Sequence, residues 1–259
     1  MHRILQISDT HLAHRPGPIR PGYPDSDRQL ATVLGALRQR ESQPELLWLT
    51  GDLAEDPERG AYTRLLRMLD EHLAGWPVAA LAGNHDDPSL LREAFATAGH
   101  TVDSHLLMGD WLLIGLNSAV PGQAAGELGD AELARLDHTL TAHPGHWAVI
   151  AVHHPVVPIG SAWMDRMGLL NAADLFAVLE RHPQVRACLF GHIHQDFRAR
   201  RQGIELLGCP STCVQFTPGA THFDLDREHA GYRVLELYPH GRLGTHVERV
   251  TAQRPEAHA

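Results

Sequence analysis

Short apolar runs alternate with amphipathic segments between Arg3 and His194. A short apolar run bounded by glycine or polar residues predicts a buried strand, whereas apolar residues at i, i+3, i+4 and i+7 predict a helix. The strands predicted in this way are 3–7, 46–50, 77–81, 147–152 and 185–190. The first predicted helix begins after the capping cluster at 25–27. The others cover 62–73, 89–98, 130–143 and 171–181, with Asn171 as an expected N-cap. This alternation predicts a β-sheet covered by helices.

The pattern changes after His194, where only short strand candidates separated by glycine and proline remain. These candidates are 197–201, 204–207, 213–216, 223–225, 232–238 and 243–250. Residues 101–107 and 111–116 also predict a hairpin that turns at Gly109-Asp110. The sheet is therefore expected to be mixed, or divided in two. We predict one domain over 1–250, with a core at 3–195, a β-rich part at 196–250 and a flexible tail at 251–259.

The composition suits one large α/β domain, since 43% of the 259 residues are hydrophobic and 20% are charged. The formal net charge of −9 argues against sequence-independent binding to nucleic acid, which requires clustered basic residues. The one dense basic run, 198–201, is interpreted as the solvated face of a short strand. We expect neither a nucleic-acid nor a membrane partner.

Cysteine content and the N-terminal sequence favour a cytoplasmic protein. Cys188, Cys209 and Cys213 are too few and unevenly spaced for a disulfide framework. Cys209 and Cys213 could form a redox pair or a third metal site, but we interpret them as small buried core residues. The chain enters its first strand without a signal-peptide pattern. No apolar run is long enough to span a bilayer.

Five predicted strands end in residues that bind metals or transfer protons. The motifs are Asp9-Thr10-His11, Gly51-Asp52, Gly83-Asn84-His85-Asp86, His153-His154 and Gly191-His192-Ile193-His194. Strand carboxyl ends in such a sheet share one edge, so these groups can converge. Each motif has an ordinary alternative, such as a helix cap, a turn or a loop pair. Because all five carry ligands suited to divalent ions, we predict a metal site.

The candidate ligands are more numerous than one ion requires. They are Asp9, His11, Asp52, Asn84, His153, His192 and His194. This set suits two ions if one carboxylate bridges them, an arrangement that favours in-line displacement at phosphorus. The charge of two divalent ions exceeds that of the two carboxylates and a bound hydroxide, so the site suits an anionic phosphoester. The mixed ligands accept Fe, Mn, Co or Zn, and of these we expect Fe and/or Mn.

The motifs, in this order, resemble the pattern of calcineurin-like metallophosphoesterases over about residues 3–195. The resemblance implies an α/β fold, a four-layer α-β-β-α sandwich with two central mixed β-sheets. It implies that one metal is bound by Asp9, His11, Asp52 and His194, and the other by Asp52, Asn84, His153 and His192, with Asp52 bridging. It also implies catalytic roles for His85 and Asn84, with His85 near the leaving oxygen, and substrate contacts from His11, Asn84, His85 and His194.

The sequence is also similar to bacterial class III 3′,5′-cyclic-AMP phosphodiesterases. The similarity extends to the segments 7–12, 191–195, 210–216, 223–226 and 231–237. It implies that a hydroxide held between the metals hydrolyses cyclic AMP to 5′-AMP. The alternatives are a broad-specificity phosphodiesterase acting on glycerophosphodiesters or other cyclic nucleotides, and a non-catalytic binding module. The expected partner is a cyclic nucleotide, and the expected assembly is a monomer or homodimer.

Two residues in these motifs have open roles. His154 is expected to contact substrate, to support a neighbouring ligand or only to shape its loop. Asp86 is expected either to orient His85 or a ligand, or to serve as a turn residue before Pro88.

Overall fold

A computed structural model describes residues 1–251 of the chain. The predicted flexible tail, 251–259, lies outside the described residues except for Thr251. The strands are β1 (His2–Ile7), β2 (Leu46–Thr50), β3 (Val78–Leu81), β4 (Thr101–Val102), β5 (His105–Met108), β6 (Trp111–Leu116), β7 (Trp147–Val152), β8 (Val185–Phe190), β9 (Phe197–Arg201), β10 (Ile204–Gly208), β11 (Gln215–Phe216), β12 (Leu225–Asp226), β13 (Gly231–Leu237) and β14 (Leu243–Arg249). The helices are α1 (Ser26–Arg40), α2 (Arg59–Leu73), α3 (Pro88–Thr97), α4 (Asp130–Ala142) and α5 (Ala172–Leu179).

Two large mixed sheets form the centre of the molecule. The first has the order β14-β13-β1-β2-β3-β4, in which β1 to β4 are parallel and β13 and β14 are antiparallel to their neighbours. The second has the order β5-β6-β7-β8-β10-β9, with β6, β7, β8 and β10 parallel. The strands β11 and β12 form a separate two-stranded sheet. The strands that carry the five motifs therefore divide between the two large sheets.

Side-chain alternation along the strands produces the layers. In β1, Leu5 and Ile7 pack against the layer of α1, α2 and α3, whereas Ile4 packs against the second sheet. On the other side, α4 and α5 cover the second sheet. The inner faces meet in a largely apolar layer that includes Trp48 and Trp111. The predicted four-layer α-β-β-α sandwich with two mixed sheets is confirmed.

The predicted strand 101–107 is wrong as a single strand. Its first part, β4, joins the first sheet beside β3, and its last part, β5, joins the second sheet beside β6. The chain changes sheets at Asp103, which has a left-handed φ of 47° and whose side chain accepts a hydrogen bond from the Ala82 N–H. The predicted turn at Gly109 is present, but the segment connects the two sheets.

Asn171 occupies the N-cap position of α5, as the sequence predicts, but its side chain makes no capping hydrogen bond. Its amide instead binds Leu128 twice, accepting from the backbone N–H at 3.0 Å and donating to the carbonyl at 2.8 Å. The side-chain oxygen and nitrogen of Asn171 are therefore both bonded to a neighbouring loop, and neither caps the helix.

Other predictions about burial are confirmed. Cys188, Cys209 and Cys213 are unpaired and at most 4% exposed. The arginines of β9 are exposed, and Arg198 and Arg201 pair with Glu205 and Glu180. Across residues 1–251, no helix combines the length and the apolar character needed to cross a membrane.

Candidate metal centre

The five motifs meet where the carboxyl ends of the two sheets face one another. Backbone contacts connect the motifs directly. The Asp9 N–H donates to the Gly51 carbonyl at 3.0 Å, and the Gly191 N–H donates to the His153 carbonyl at 3.1 Å. The first contact lies within one sheet edge and the second within the other. The predicted ligands are thereby placed on two facing edges.

The structure brings all seven predicted ligands together. In Asp9, His11 and His194, the donor atoms lie within 4.8 Å of one another. The same holds for Asp52, His153 and His192. Asn84 joins the second group, because its Oδ1 lies 3.2 Å from His153 Nε2.

Asp52 lies between the two groups. Its Oδ2 is 3.2 Å from His153 Nε2 and 3.8 Å from His11 Nε2. Its donor atom also forms a cluster with those of His11 and His85. Asp52 is thus positioned to serve both groups, as a bridging carboxylate requires.

The donor atoms do not satisfy one another by hydrogen bonding, and bound cations would complete their interactions. His11 Nε2 and His194 Nε2 lie 3.2 Å apart, although both Nδ1 atoms already have other partners. His192 Nε2 is buried and has no hydrogen-bond partner among the described residues. A buried nitrogen without a partner is costly, and a metal ion would supply the missing interaction. Carboxylate, amide and imidazole donors together match mixed transition-metal ligation.

Three imidazoles are held through Nδ1, so that Nε2 faces the cluster. His153 Nδ1 lies 2.9 Å from the Thr50 carbonyl, and His194 Nδ1 lies 2.8 Å from the Val214 carbonyl. His11 Nδ1 instead lies 2.8 Å from Glu55 Oε2. An acceptor at one ring nitrogen fixes the tautomer and leaves the other nitrogen free to bind metal.

The carboxylates are held by backbone donors. The His192 N–H donates to Asp9 at 3.0 Å, and the His85 N–H donates to Asp52 Oδ1 at 2.9 Å. Burial alone raises the pKa of Asp52, but His153 and His11 outweigh it and lower that pKa well below its usual value. Asp52 is therefore ionised.

Backbone conformation also marks the site. Left-handed φ angles occur at five of the predicted ligands, which are Asp9 (56°), His11 (45°), Asp52 (50°), His192 (63°) and His194 (51°). Such angles are uncommon for residues other than glycine and concentrate at functional sites. At Gly191, an added Cβ would overlap Ser8 Oγ and lie 2.7 Å from Asp9 Oδ2. The chain is therefore tightly constrained around the donors.

The contacts of Asp86 and His154 indicate their roles, which the sequence left open. Asp86 makes no hydrogen bond to His85. It accepts from the Leu53 and Gly83 N–H groups at 3.1 and 2.9 Å, and from the Tyr62 hydroxyl at 3.1 Å. Asp86 therefore supports the backbone around Asp52.

His154 is fully buried beside the proposed ligands. Its Nδ1 lies 2.7 Å from Ser118 Oγ, and its ring centroid lies 4.9 Å from that of His192. Burial and the charge on His153 lower the pKa of His154 to about 3. The ring is therefore neutral and serves as packing and hydrogen-bonding support.

Glu55 is a site residue that sequence reasoning missed. It contacts His11 and also pairs with Arg20 at 3.1 Å, while its own carbonyl lies 3.0 Å from His85 Nδ1. Burial raises its pKa, but the hydrogen bond from His11 and the charges of His11 and His85 lower it to about 2. No motif identified Glu55, since it is one of several acidic residues in a loop. Its role depends on the fold.

Comparisons with known proteins agree with this geometry. The model of the calcineurin-like phosphoesterase family matches residues 2–196. A 3′,5′-cyclic adenosine monophosphate phosphodiesterase from Pseudomonas aeruginosa is 38% identical, over 95% of this chain and 89% of the relative. A 3′,5′-cyclic-nucleotide phosphodiesterase from Nostoc is 37% identical, over 97% of this chain and 94% of the relative. The crystal structure of a dimetal phosphatase from Danio rerio has a TM-score of 0.68 at 16% identity, covers 96% of each chain and supports the fold.

Proposed function

The chain belongs to the calcineurin-like phosphoesterase family, and from this premise we propose that it hydrolyses 3′,5′-cyclic AMP to 5′-AMP. The observation that carries the proposal is the pair of donor groups that meet at Asp52. The substrate class rests on the cyclic-nucleotide phosphodiesterases that resemble the chain over nearly its full length.

We propose two metal positions. Asp9, His11, Asp52 and His194 would hold one ion, and Asp52, Asn84, His153 and His192 would hold the other. Fe or Mn suits this mixture of oxygen and nitrogen donors, with Co or Zn as alternatives. When bound, such a pair activates water and neutralises phosphate charge.

His85 is proposed as the general acid for the leaving 3′-oxygen. Its Nδ1 lies 3.0 Å from the Glu55 carbonyl, and its side chain is 36% exposed toward the cavity beside the donor groups. The ring is thus oriented through Nδ1–H, and in its doubly protonated form it would transfer the Nε2 proton to the leaving oxygen. A positioned acid of this kind contributes about 10²–10⁴-fold to the rate.

Asn84, His11 and His194 are proposed substrate contacts. All three line the same cavity as His85. The Asn84 amide group can donate a hydrogen bond to a phosphate oxygen through its nitrogen while its oxygen faces the metal position. In this proposal the residue has both a catalytic and a ligand role.

A kinetic panel tests the proposed reaction. Metal-reconstituted protein is assayed on cyclic AMP, cyclic GMP and a glycerophosphodiester, with product identity and metal content measured in parallel. The expected result is the highest kcat/KM for cyclic AMP, with 5′-AMP as product. Faster turnover of the glycerophosphodiester would replace the proposal with the broad-specificity alternative. A protein that retained no transition metal after reconstitution would support the non-catalytic alternative.

We also propose a cytoplasmic location and a monomeric or homodimeric assembly, without a nucleic-acid or membrane partner. The three buried, unpaired cysteines suit a reducing compartment. The net charge of −9 disfavours a polyanionic partner.

A further inference from the structure

Three aromatic side chains form a continuous surface at one wall of the metal cavity. We call Trp163, Phe216 and Phe223 the aromatic shelf. The ring centroids of Trp163 lie 5.1 Å from Phe216 and 5.3 Å from Phe223, and Phe216 lies 5.5 Å from Phe223. All three line the cavity that also contains the donor groups. The site thus has an apolar wall beside a strongly polar floor.

The aromatic shelf begins at the metal centre itself. The Phe216 ring stacks on the imidazole of His194, with centroids 4.0 Å apart and planes at 11°. The same imidazole is held by the Val214 carbonyl, two residues before Phe216. The segment that orients this proposed ligand therefore also positions the shelf.

Hydrogen bonds hold the shelf in place. The loop between β11 and β12 carries Phe223 and is closed by Thr217, whose hydroxyl donates to Asp224 at 2.7 Å. The Gly219 N–H donates to the buried Ser161 hydroxyl at 3.0 Å, which joins this loop to the segment that carries Trp163. The three rings are therefore preorganised from two segments of the chain.

Phe223 is the exposed member of the shelf. It is 51% exposed, although Trp163 and Phe216 pack against the apolar core beneath. An exposed aromatic ring that continues a buried cluster beside a polar cavity offers its face to a flat apolar ligand group. Aromatic faces of this kind can stack on any nucleobase, because every base has a π-face.

We propose that the aromatic shelf binds the purine base of the nucleotide, with Phe223 as the residue that stacks on it. This inference rests on the proposed function, since it supplies the base-binding part of the same site. In a 3′,5′-cyclic nucleotide only the ribose separates base from phosphate, so the base must lie close to the metal positions. The shelf meets this requirement through the contact between Phe216 and His194.

The test compares two ligands that differ only in the base. Calorimetry on the metal-reconstituted protein gives the Kd for AMP and for ribose 5-phosphate in the wild type, Phe223→Ala and Phe223→Trp. Phe223→Ala should weaken AMP binding by about 5- to 100-fold, the range expected for loss of one base–aromatic stack. Ribose 5-phosphate binding should be unchanged. Phe223→Trp keeps an aromatic face and should bind AMP within about threefold of the wild type.

Leu107→Ala is the matched control, because Leu107 is 54% exposed on β5 and does not line the cavity. It should leave both Kd values unchanged. Equal Kd values for AMP in Phe223→Ala and the wild type would contradict the proposal that the shelf binds the base. An equal loss of affinity for AMP and ribose 5-phosphate would contradict it as well. These measurements need no turnover. A wild type that binds AMP through the shelf but fails to hydrolyse cyclic AMP would therefore refute the proposed function alone.

Discussion

The two sheet edges contribute different chemistry to the metal centre. The first edge carries all the oxygen donors, which are the carboxylates of Asp9 and Asp52 and the amide of Asn84, together with one imidazole. The second edge carries only imidazoles, from His153, His192 and His194. The carboxylates are therefore concentrated on the first edge, and most of the nitrogen donors lie on the second. Burial lowers the pKa of His192 well below its usual value, which keeps that ring neutral.

Each edge also holds the other in position. The backbone of His192 donates to the carboxylate of Asp9, and the ring of His153 bonds to the carbonyl of Thr50. Both contacts run from one sheet to the other. Neither edge is a metal site alone, and the site forms only when the two sheets pack together.

Asp52→Ala should have the largest effect on metal binding and turnover, because Asp52 belongs to the first edge but contacts the second. We expect loss of turnover by several orders of magnitude and loss of metal from both positions, since one residue would serve two ions. Turnover of cyclic AMP and elemental analysis of the purified protein measure the two effects.

Asp137→Ala provides a control for Asp52→Ala. Asp137 is a partly exposed carboxylate on α4 that pairs with Arg181 and His182 and belongs to neither donor group. This variant should retain normal metal content and turnover. Full activity in Asp52→Ala would rule out a bridging carboxylate.

His85→Ala tests a residue that belongs to the first edge but is not a proposed ligand. Metal content should stay near that of the wild type, while kcat for cyclic AMP should fall by about 10²–10⁴-fold. An activated aryl phosphodiester needs less help at its leaving oxygen and should slow much less. Equal slowing of both substrates would contradict the general-acid role.

The residue pattern predicted the strands that carry the motifs, and the resemblance to calcineurin-like metallophosphoesterases implied the four-layer fold. Buried strands such as β7 and β8 are short apolar runs, and their motifs follow directly after them. Local pattern and residue type therefore coincided there. The division of residues 101–107 between two sheets was not predictable, because it depends on the left-handed turn at Asp103 and its contact with Ala82.

Residues that act at a distance along the chain were also missed. Glu55 reaches His11 across 44 positions of sequence, and the aromatic shelf combines Trp163 with Phe216 and Phe223. Neither arrangement has a spacing that could reveal it, since loops set both. The roles of the predicted ligands themselves stay predictions that metal analysis of the variants will test.

Glu55→Gln has the smallest expected effect and addresses a single imidazole. Among His11, His153 and His194, only His11 is held by a side chain, and the other two are held by backbone carbonyls. Gln keeps a hydrogen-bond acceptor but removes the charge, whereas Glu55→Ala removes both. We expect about 10–100-fold weaker metal binding in Glu55→Ala and a smaller loss in Glu55→Gln, as for other carboxylates that orient metal-binding histidines.

Metal titration separates this role from a general effect on folding. The thermal midpoint of the metal-free protein should change little in Glu55→Gln, because Gln fills nearly the same volume and keeps an acceptor for His11. Glu93→Gln, which removes a surface partner of Arg59, should leave metal affinity unchanged. Because two ions are expected, weakening should appear in one binding step and spare the other. Equal weakening of both metal-binding steps would mean that Glu55 supports the packing between the two sheet edges and not the orientation of His11 alone.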